Sequence, residues 1–354
     1  MERQITPELQ KLFDEGCNIY SISRLNTMNQ CPYQAYLNYI VNKPQKNNIW
    51  ACLGGKIHDA LQACIDTNCN TDIITRALQE ELDNLDLLEI DFPLDRNGNP
   101  TLRNNWIENM SRFAKEFKTP TGKFETEQLI LYPIPGREKT YMQGYIDLIR
   151  YNSDGSINIY DWKTSSNFDK KHLVEAGRQL ILYALAKQHE GYIVNHIAWI
   201  MLKYCVTTWQ LKNGKTKEKI SEWRNLISDL KSPIMSALSD FGYDEMDADC
   251  IFEKAKKENT FDSLPQQIKD KFITKIYIRE YEITKEKIDE TLEYINSIID
   301  MYEEFGENEL KYHSCDINKE SFFCSSLCGY SDACKYYIDY KEQLISQDED
   351  DDLF

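Results

Sequence analysis

Two carboxylates and a lysine stand close together around one short turn of the sequence. Asp147 lies in the segment GYIDLIRY, and Asp161 precedes Lys163 by two residues in the segment INIYDWKT. Two acids held side by side repel each other, so one of them stays protonated unless a cation lies beside both. A divalent cation bound by oxygen ligands resolves this conflict. The alternative is a pair of solvated acids on an edge hairpin.

The turn between the two segments decides whether the acids meet. Both segments are rich in Ile and Tyr and are separated by NSDGS, which predicts a β-hairpin. If residues 153–155 form the loop with Gly155 left-handed, Asp147 faces Asp161 and Lys163 shares their face of the sheet. A two-residue Asp-Gly turn would shift the register by one and send the acids to opposite sides. We predict the three-residue loop, and with it a site of paired acids.

The composition indicates a chain that buries a large core. Of its 354 residues, 42% are hydrophobic and 12% are aromatic, which suits one elaborated domain or two modest ones. No apolar run approaches the length of about 18 residues needed to span a membrane, so we expect a soluble, cytoplasmic protein with no membrane partner. No GxxxxGK[ST] motif is present, which argues against an ATP-driven motor in this chain.

The net charge and the cysteine content limit the kinds of partner that the protein can bind. A net charge of −17 is unfavourable for binding a polyanion, so any contact with nucleic acid must be local. The lysine-rich segment at residues 211–219 is either such a contact or an ordinary solvated loop. Eleven cysteines in a cytosolic chain predict thiols or metal ligands rather than a disulfide framework.

Several short motifs follow one another in an order that is typical of one nuclease family. They are SISRLNTMNQCPYQAYLNY, GKIHDAL, GYIDLI, DWKTSS, QLILY and a terminal cysteine cluster. This ordered set resembles the PD-(D/E)XK nuclease superfamily, specifically its RecB-like branch, which includes iron–sulfur nucleases such as the AddB nuclease domain and CRISPR-associated adaptation nucleases. The resemblance covers nearly the whole chain. It implies an α/β fold with a restriction-endonuclease-like core, in which helices flank a mixed β-sheet.

The resemblance and the local patterns together predict one nuclease domain over residues 1–340. Its predicted parts are a helical N-terminal part at 1–120, a core at 121–205 and 273–300, a charged helical insertion at 206–272 and a cysteine cluster at 315–337. Residues 341–354 include five consecutive acids and predict a disordered acidic tail. The tail ends in Leu353 and Phe354, which resembles the tips of single-stranded-DNA-binding proteins. That ending predicts docking to a helicase or replisome protein, cover for the DNA groove, or simply solvation.

The resemblance assigns roles to residues of the paired-acid site. It implies a Mg²⁺ or Mn²⁺ ion with these ligands: His58, Asp147, Asp161 and the backbone carbonyl of Trp162. Lys163 would hold or deprotonate the attacking water while the metal polarises the scissile phosphate. The acid that the family often carries on its first core strand corresponds in order to Glu127, although Glu125 lies on the same strand face.

A helix that follows the hairpin carries two further candidates. Gln179 and Tyr183 stand four residues apart, hence on one helical face, and resemble the QxxxY element of the branch. We expect them to orient Lys163 or to contact DNA. The alternative is that Tyr183 simply packs in the core.

Four cysteines resemble the ligands of the branch's [4Fe-4S] cluster. They are one early residue and three late ones: Cys31, Cys324, Cys328 and Cys334. The family usually has two residues between the first pair of late cysteines, whereas this chain has three. That departure leaves Cys315 as a possible substitute, and Zn²⁺ as the rival occupant of a four-thiolate site.

These features predict a metal-dependent deoxyribonuclease that binds DNA. The RecB-like resemblance implies an exonuclease that acts on single strands or duplex ends, in phage or bacterial recombination, repair or replication. The alternatives are a DNA-binding or scaffolding subunit with a vestigial site, and a nuclease that trims DNA for CRISPR arrays.

Overall fold

The computed structural model describes residues 5–67, 72–95 and 97–351, except for the side chains of Lys171 and of residues 346–351. Within these residues, seven strands form one mixed sheet. The strands are β1 (Asn18–Ser21), β2 (Lys123–Pro133), β3 (Thr140–Tyr151), β4 (Ile157–Lys163), β5 (Val194–Gln210), β6 (Thr216–Glu222) and β7 (Phe272–Tyr281).

Helices cover both faces of this sheet. They are α1 (Pro7–Asp14), α2 (Ile22–Gln30), α3 (Pro32–Ala35), α4 (Ile49–Thr67), α5 (Asp72–Leu87), α6 (Leu102–Glu116), α7 (Lys170–His189), α8 (Lys231–Asp240), α9 (Glu245–Glu258), α10 (Gln266–Lys269), α11 (Lys285–Phe305) and α12 (Lys335–Asp351). The mixed sheet with flanking helices confirms the predicted α/β class and is consistent with a restriction-endonuclease-like fold. None of the described helices is long and apolar enough to cross a membrane.

The sheet leaves a short gap beside the middle of β3. Strands follow the order β1-β3-β4-β5-β6, with β2 also paired to β3 and β7 also paired to β5. Because β2 pairs with β3 along most of its length, β1 and β4 share the opposite edge of β3. The parallel partner β1 covers residues 140–143 of that edge, and the antiparallel partner β4 covers residues 148–151. Residues 144–147 therefore lie between the two partners.

Neighbouring residues of the central strands point into two different cores. Ile149 packs in a core with residues of α2, α7 and α11, whereas Leu148 packs in a core with residues of α4, α5, α6, α8 and α9. This alternation is the normal consequence of the two-residue period of a strand.

The predicted charged helical insertion begins later than the sequence suggested. Residues 206–222 belong to a hairpin, because β5 continues to Gln210 and pairs with β6. Gly214 has a φ of +78° in the connecting turn. The lysines of β6 hid this strand, since charged residues are typical of an edge strand that must not pair with other chains. The helices α8, α9 and α10 follow only after it.

The C-terminal helix α12 also differs from the sequence-based expectation. It runs to Asp351, whereas a disordered tail was predicted from residue 341. The segment KYYIDYKEQLIS contains good helix formers and no Gly or Pro, so the helix continues into the acidic residues. Residues 352–354 lie outside the described part of the chain.

Candidate active site and cysteine cavity

The loop between β3 and β4 has the predicted three-residue form. Asn152 N–H donates a hydrogen bond to the carbonyl oxygen of Ser156 at 2.9 Å. Gly155 has a φ of +84°, in the left-handed region that a side chain disfavours. The Asp154 carboxylate accepts hydrogen bonds from Ser156 N–H and Oγ, which fixes the turn from within. The predicted loop is confirmed.

The two strands of the hairpin separate where the acids begin. Pairing ends with Leu148 opposite Tyr160, so Asp147 and Asp161 are the next residues along the two strands. Asp147 Oδ2 accepts a hydrogen bond from Trp162 N–H at 2.7 Å. The N–H and C=O of one strand residue point towards the same side. The carbonyl of Trp162 therefore also faces the gap beside β3.

A histidine from α4 and two acids gather at this gap. One ligand atom from each of His58, Glu127 and Asp147 lies within 4.8 Å of the others. His58 Nδ1 is 3.6 Å from Asp147 Oδ1, and its ring meets the ring of Trp162 edge to face at 5.5 Å. Asp161 lies outside this 4.8 Å group, beside Lys163, but its charge still acts on His58. An imidazole and carboxylate oxygens form a ligand set that suits a divalent cation such as Mg²⁺ or Mn²⁺.

The structure distinguishes between the two glutamates of β2. Glu125 accepts a hydrogen bond from Tyr151 Oη at 2.7 Å, away from the acid–histidine group. Glu127 has a φ of +49°, and the pairing of β2 with β3 is interrupted at this residue. A left-handed non-glycine residue inside a strand is strained, and such strain is concentrated at functional sites. The distortion accompanies the placement of Glu127 beside His58, which period-two alternation did not indicate.

Lys163 and Asp161 form a largely buried ion pair. Lys163 Nζ lies 2.7 Å from Asp161 Oδ2, and the two side chains are 25% and 3% exposed. Within the described residues, Lys163 supplies the positive charge in direct contact with the Asp161 carboxylate. Lys163 Nζ also donates a hydrogen bond to Gln179 Oε1 at 3.2 Å. The structure thus brings the predicted lysine to the second acid.

The residues predicted on α7 continue this chain of contacts. Gln179 Nε2 donates a hydrogen bond to Tyr183 Oη at 2.8 Å. Tyr183 is buried, and its ring lies against Gly144 of β3, where an added Cβ would be only 2.8 Å from Cε1. Gly177 allows an even closer approach of α7 to the ring of Tyr281 on β7, where an added Cβ would overlap Cζ. The two glycines let α7 lie close enough to the sheet for Gln179 to reach Lys163.

The ionisable groups of the site compensate one another's charge. Burial raises the pKa of Asp161 to about 6, and the nearby charge of Asp147 acts in the same direction. Burial lowers the pKa of His58, but the Asp147 and Asp161 carboxylates outweigh it, so the net shift is upward. Burial likewise opposes the charge on Lys163, and Asp161 outweighs it. The Lys163 ammonium group thus offsets part of the negative charge of the acids, and the acids in turn favour protonation of His58.

A second group of residues surrounds a small cavity where the N-terminal and C-terminal parts of the chain meet. Five cysteines line it: Cys31, Cys315, Cys324, Cys328 and Cys334. The four cysteines predicted from the sequence are therefore brought together, and the suspected substitute lies with them. Cys315 Sγ is 3.6 Å from Cys324 Sγ, and Cys315 N–H donates a hydrogen bond to Cys31 Sγ at 3.4 Å.

The unusual spacing of the late cysteines has a local structural counterpart. Residues Phe323–Leu327 form a π-helical turn, in which Cys328 N–H donates to the carbonyl oxygen of Phe323 at 2.8 Å. A π-turn contains one residue more than an α-turn. It therefore accommodates the extra residue between Cys324 and Cys328.

The chemistry of the cavity fits a soft metal centre. Burial raises the pKa of the Cys328 thiol to about 11, and burial also raises the pKa values of Cys324 and Cys334. Four thiolate ligands of one Zn²⁺ ion would lie about 3.8 Å apart, given bonds of about 2.3 Å at tetrahedral angles. Across residues 5–67, 72–95 and 97–351, no three cysteine sulfurs lie within 4.8 Å of one another. The sulfurs of Cys315 and Cys324, 3.6 Å apart, match this spacing, but no third described cysteine sulfur lies within 4.8 Å of both.

Comparisons with known proteins place this geometry in a family. Residues 19–335 match the model of the PD-(D/E)XK nuclease superfamily. The crystal structure of SSO0001 shares 14% sequence identity over 60% of this chain and 74% of its own, with a TM-score of 0.23, which is too low to bear on function. No curated protein matches the chain. Since the family match extends over most of the sequence and includes both acids and the lysine of the site, the chain belongs to the PD-(D/E)XK superfamily of metal-dependent nucleases.

Proposed function

We propose that the protein is a metal-dependent deoxyribonuclease that hydrolyses DNA as an exonuclease, from ends or on single strands. The observation that carries the nuclease assignment is the meeting of Asp147, the Asp161–Lys163 pair and His58 at the gap beside β3. The preference for ends or single strands rests on the RecB-like resemblance of the motifs. A role in phage or bacterial recombination, repair or replication is proposed on the same ground.

His58, Glu127, Asp147, Asp161 and the carbonyl of Trp162 would hold a Mg²⁺ or Mn²⁺ ion. Three of these groups already converge, and burial raises the pKa of the Asp161 carboxyl, an effect that a bound cation would oppose. When bound, such an ion polarises the scissile phosphate and lowers the pKa of water. The backbone N–H of Trp162 holds the Asp147 carboxylate in place for this task.

Lys163 positions the attacking water and takes part in its deprotonation. In the metal-free protein its ammonium group is held charged by Asp161, and its pKa is raised. If the Asp161 carboxylate rotates towards a bound metal ion, its ion pair with Lys163 weakens. The pKa of Lys163 then falls, because the effect of burial on the ammonium group is no longer offset. Gln179 and Tyr183 are positioning residues in this scheme, since their hydrogen bonds fix Nζ of Lys163.

The cysteine cavity is proposed to hold a [4Fe-4S] cluster with a structural role. Its ligands would be drawn from Cys31, Cys324, Cys328 and Cys334, with Cys315 beside them. The wide spacing of the sulfurs favours a polynuclear cluster over a single Zn²⁺ ion. A cluster would join segments that are almost three hundred residues apart in sequence and so reduce the entropy of the unfolded chain.

The test compares active-site variants with matched surface variants. Asp161→Ala and Lys163→Ala are expected to lower the rate of cleavage of end-labelled DNA by at least about 100-fold, because each removes a charge that acts on the reacting groups. Asp249→Ala and Lys254→Ala remove the same side chains from the exposed surface of α9 and are expected to cleave normally.

The assay uses single-stranded and blunt duplex DNA with Mg²⁺, Mn²⁺ or EDTA, and protein purified without oxygen. Near-normal cleavage by either active-site variant refutes the assignment of the site. Metal-independent binding without any cleavage by the wild type supports instead the scaffolding role with a vestigial site. Cleavage of closed circles as fast as of linear DNA refutes the exonuclease preference alone.

A further inference from the structure

We propose that Cys315 and Cys324 serve one coordination position between them, so that either thiol alone completes the metal–thiolate site. The inference rests on the metal centre proposed above, in which the other three positions belong to Cys31, Cys328 and Cys334. The site then contains five thiols for four positions. One of them is a built-in spare ligand.

The positions of the two sulfurs support a shared role. Cys315 Sγ and Cys324 Sγ lie 3.6 Å apart on the wall of the same cavity, which is approximately van der Waals contact. In the proposed [4Fe-4S] cluster each thiolate binds a different iron atom, so two sulfurs in contact fit one position rather than two, whereas the same separation would suit two ligands of a single Zn²⁺ ion. The Cys315 thiol also interacts with the side chain of Cys31, so it lies beside two of the thiols that line the cavity.

Cys315 is also held in place by the site itself. Its backbone N–H donates to Cys31 Sγ at 3.4 Å, so the residue that carries the spare thiol is anchored to an opposite ligand. A hydrogen bond of this type stabilises negative charge on the accepting sulfur. Cys315 would therefore follow Cys31 if the cavity shifts.

The π-turn gives a physical reason for a spare ligand. Cys324 precedes Cys328 across the turn Phe323–Leu327, and one residue of helix corresponds to a rotation of about 100°. If this turn relaxes to ordinary α-helical hydrogen bonding, Cys324 rotates away relative to Cys328. Cys315 lies outside the turn and would then be the thiol that remains at the position.

Exchange between the two thiols changes no oxidation state. One metal–sulfur bond breaks and another forms; the incoming thiol releases a proton, and the departing thiolate takes one up. No oxidant or reductant is needed for this step.

The test measures metal content in a set of serine variants. Cys315→Ser and Cys324→Ser are each expected to retain the iron, or zinc, and the visible absorbance of the wild type. The double variant is expected to lose them, as are the controls Cys328→Ser and Cys334→Ser. Loss of a true ligand should lower metal affinity by at least about tenfold, since loss of an outer partner alone costs that much. Far-UV circular dichroism checks that each variant is folded.

Each result decides the matter. Loss of metal from Cys315→Ser alone or Cys324→Ser alone overturns the shared position, because it identifies that residue as a dedicated ligand. Retention of metal by the double variant overturns it as well. If the wild type binds neither iron nor zinc, the proposed metal centre itself is refuted, which is distinguishable from failure of the spare ligand.

A metal-independent measurement tests the proximity of the two thiols. Diamide takes up two electrons and two protons when it converts two thiols to a disulfide. In chelator-treated protein, peptide mapping is expected to find Cys315 linked to Cys324. A predominant link between Cys315 and a different cysteine would contradict the arrangement.

Discussion

Replacing Gly144 with alanine should disable the enzyme without touching a reacting group. A Cβ at this position would be 2.8 Å from Cε1 of Tyr183, which is about 0.7 Å short of the ordinary carbon–carbon contact of about 3.5 Å. Tyr183 is only 3% exposed and lacks free space into which to retreat. The ring must therefore shift along α7 or push the helix away from the sheet.

The displacement is transmitted to Lys163 through two hydrogen bonds. Tyr183 Oη accepts from Gln179 at 2.8 Å, and Gln179 in turn accepts from Lys163 at 3.2 Å. A misplacement of about 1 Å at a reacting group can cost about 100-fold in rate, so we expect Gly144→Ala to lower kcat by roughly 10- to 100-fold. The overpacked contact should also lower the free energy of unfolding by about 1–3 kcal/mol.

A matched variant separates this effect from that of adding a methyl group. Gly55 lies on α4, three residues before His58, and a Cβ there meets no atom within 4 Å. Gly55→Ala should therefore raise the free energy of unfolding by about 0.5–1 kcal/mol and leave kcat unchanged. Single-turnover cleavage and urea unfolding measure both quantities for the two variants.

A double-mutant cycle tests whether Tyr183 transmits the effect. Tyr183→Leu removes the aromatic carbon that the new methyl group would touch. In that background, Gly144→Ala should cost much less stability than it does in the wild type, with a coupling free energy of about 1–2 kcal/mol. An equal loss of unfolding free energy in both backgrounds would refute the reasoning, because the destabilisation would then arise in the backbone of β3.

Four further predictions follow from the site's chemistry, from one close contact and from the sequence of the tail. The affinity for Mn²⁺ should fall by about tenfold per pH unit below pH 6. The reason is that Asp161, whose pKa is raised to about 6, must lose its proton before it binds a cation. Equal affinities measured by calorimetry at pH 5 and pH 7 would contradict this. The same raised pKa means that protonation of Asp161 stabilises the folded metal-free protein at low pH, and that this stabilisation is lost as pH rises through about 6. Gly177→Ala should lower the free energy of unfolding by at least about 1–3 kcal/mol, since its Cβ would overlap the ring of Tyr281; urea unfolding at the wild-type midpoint would show that α7 is not seated as described. Deletion of residues 346–354 should either tighten DNA binding at low salt or abolish binding to a helicase or replisome partner, without changing the thermal midpoint; unchanged DNA affinity and partner pull-down would leave the tail as a solubilising segment only.

Local patterns were sufficient to predict the hairpin and its register. The segment NSDGS supplies a glycine where the loop needs a left-handed residue, and the apolar runs on both sides fix the strands. From that register, the meeting of Asp147, Asp161 and Lys163 follows from geometry alone. The order of the motifs then predicted the family.

Other features depend on contacts that no local pattern contains. The order of the motifs pointed to Glu127, but alternation could not separate it from Glu125, because a glutamate in a strand looks the same whether its backbone is regular or left-handed. The sequence did not indicate the strand β6, because its side chains are mostly charged and face solvent rather than a core. The contact between Cys315 N–H and Cys31 Sγ joins residues 284 positions apart, a separation at which spacing carries no information.

The cysteines of the cavity are synthesised at widely separated times. Cys31 leaves the ribosome 303 residues before Cys334, since 334 − 31 = 303. At about 5–20 residues per second, this interval lasts roughly 15–60 s. During that time β3, β4 and α7 have all emerged, so their residues are able to fold together. Cys31 is then available, but the last cysteine of the cavity is not. A metal centre at this cavity, as proposed above, would therefore form only after the residues of the acid–histidine group have emerged. A chain that stops short of residue 334 would carry those residues but lack one of the proposed thiolate ligands.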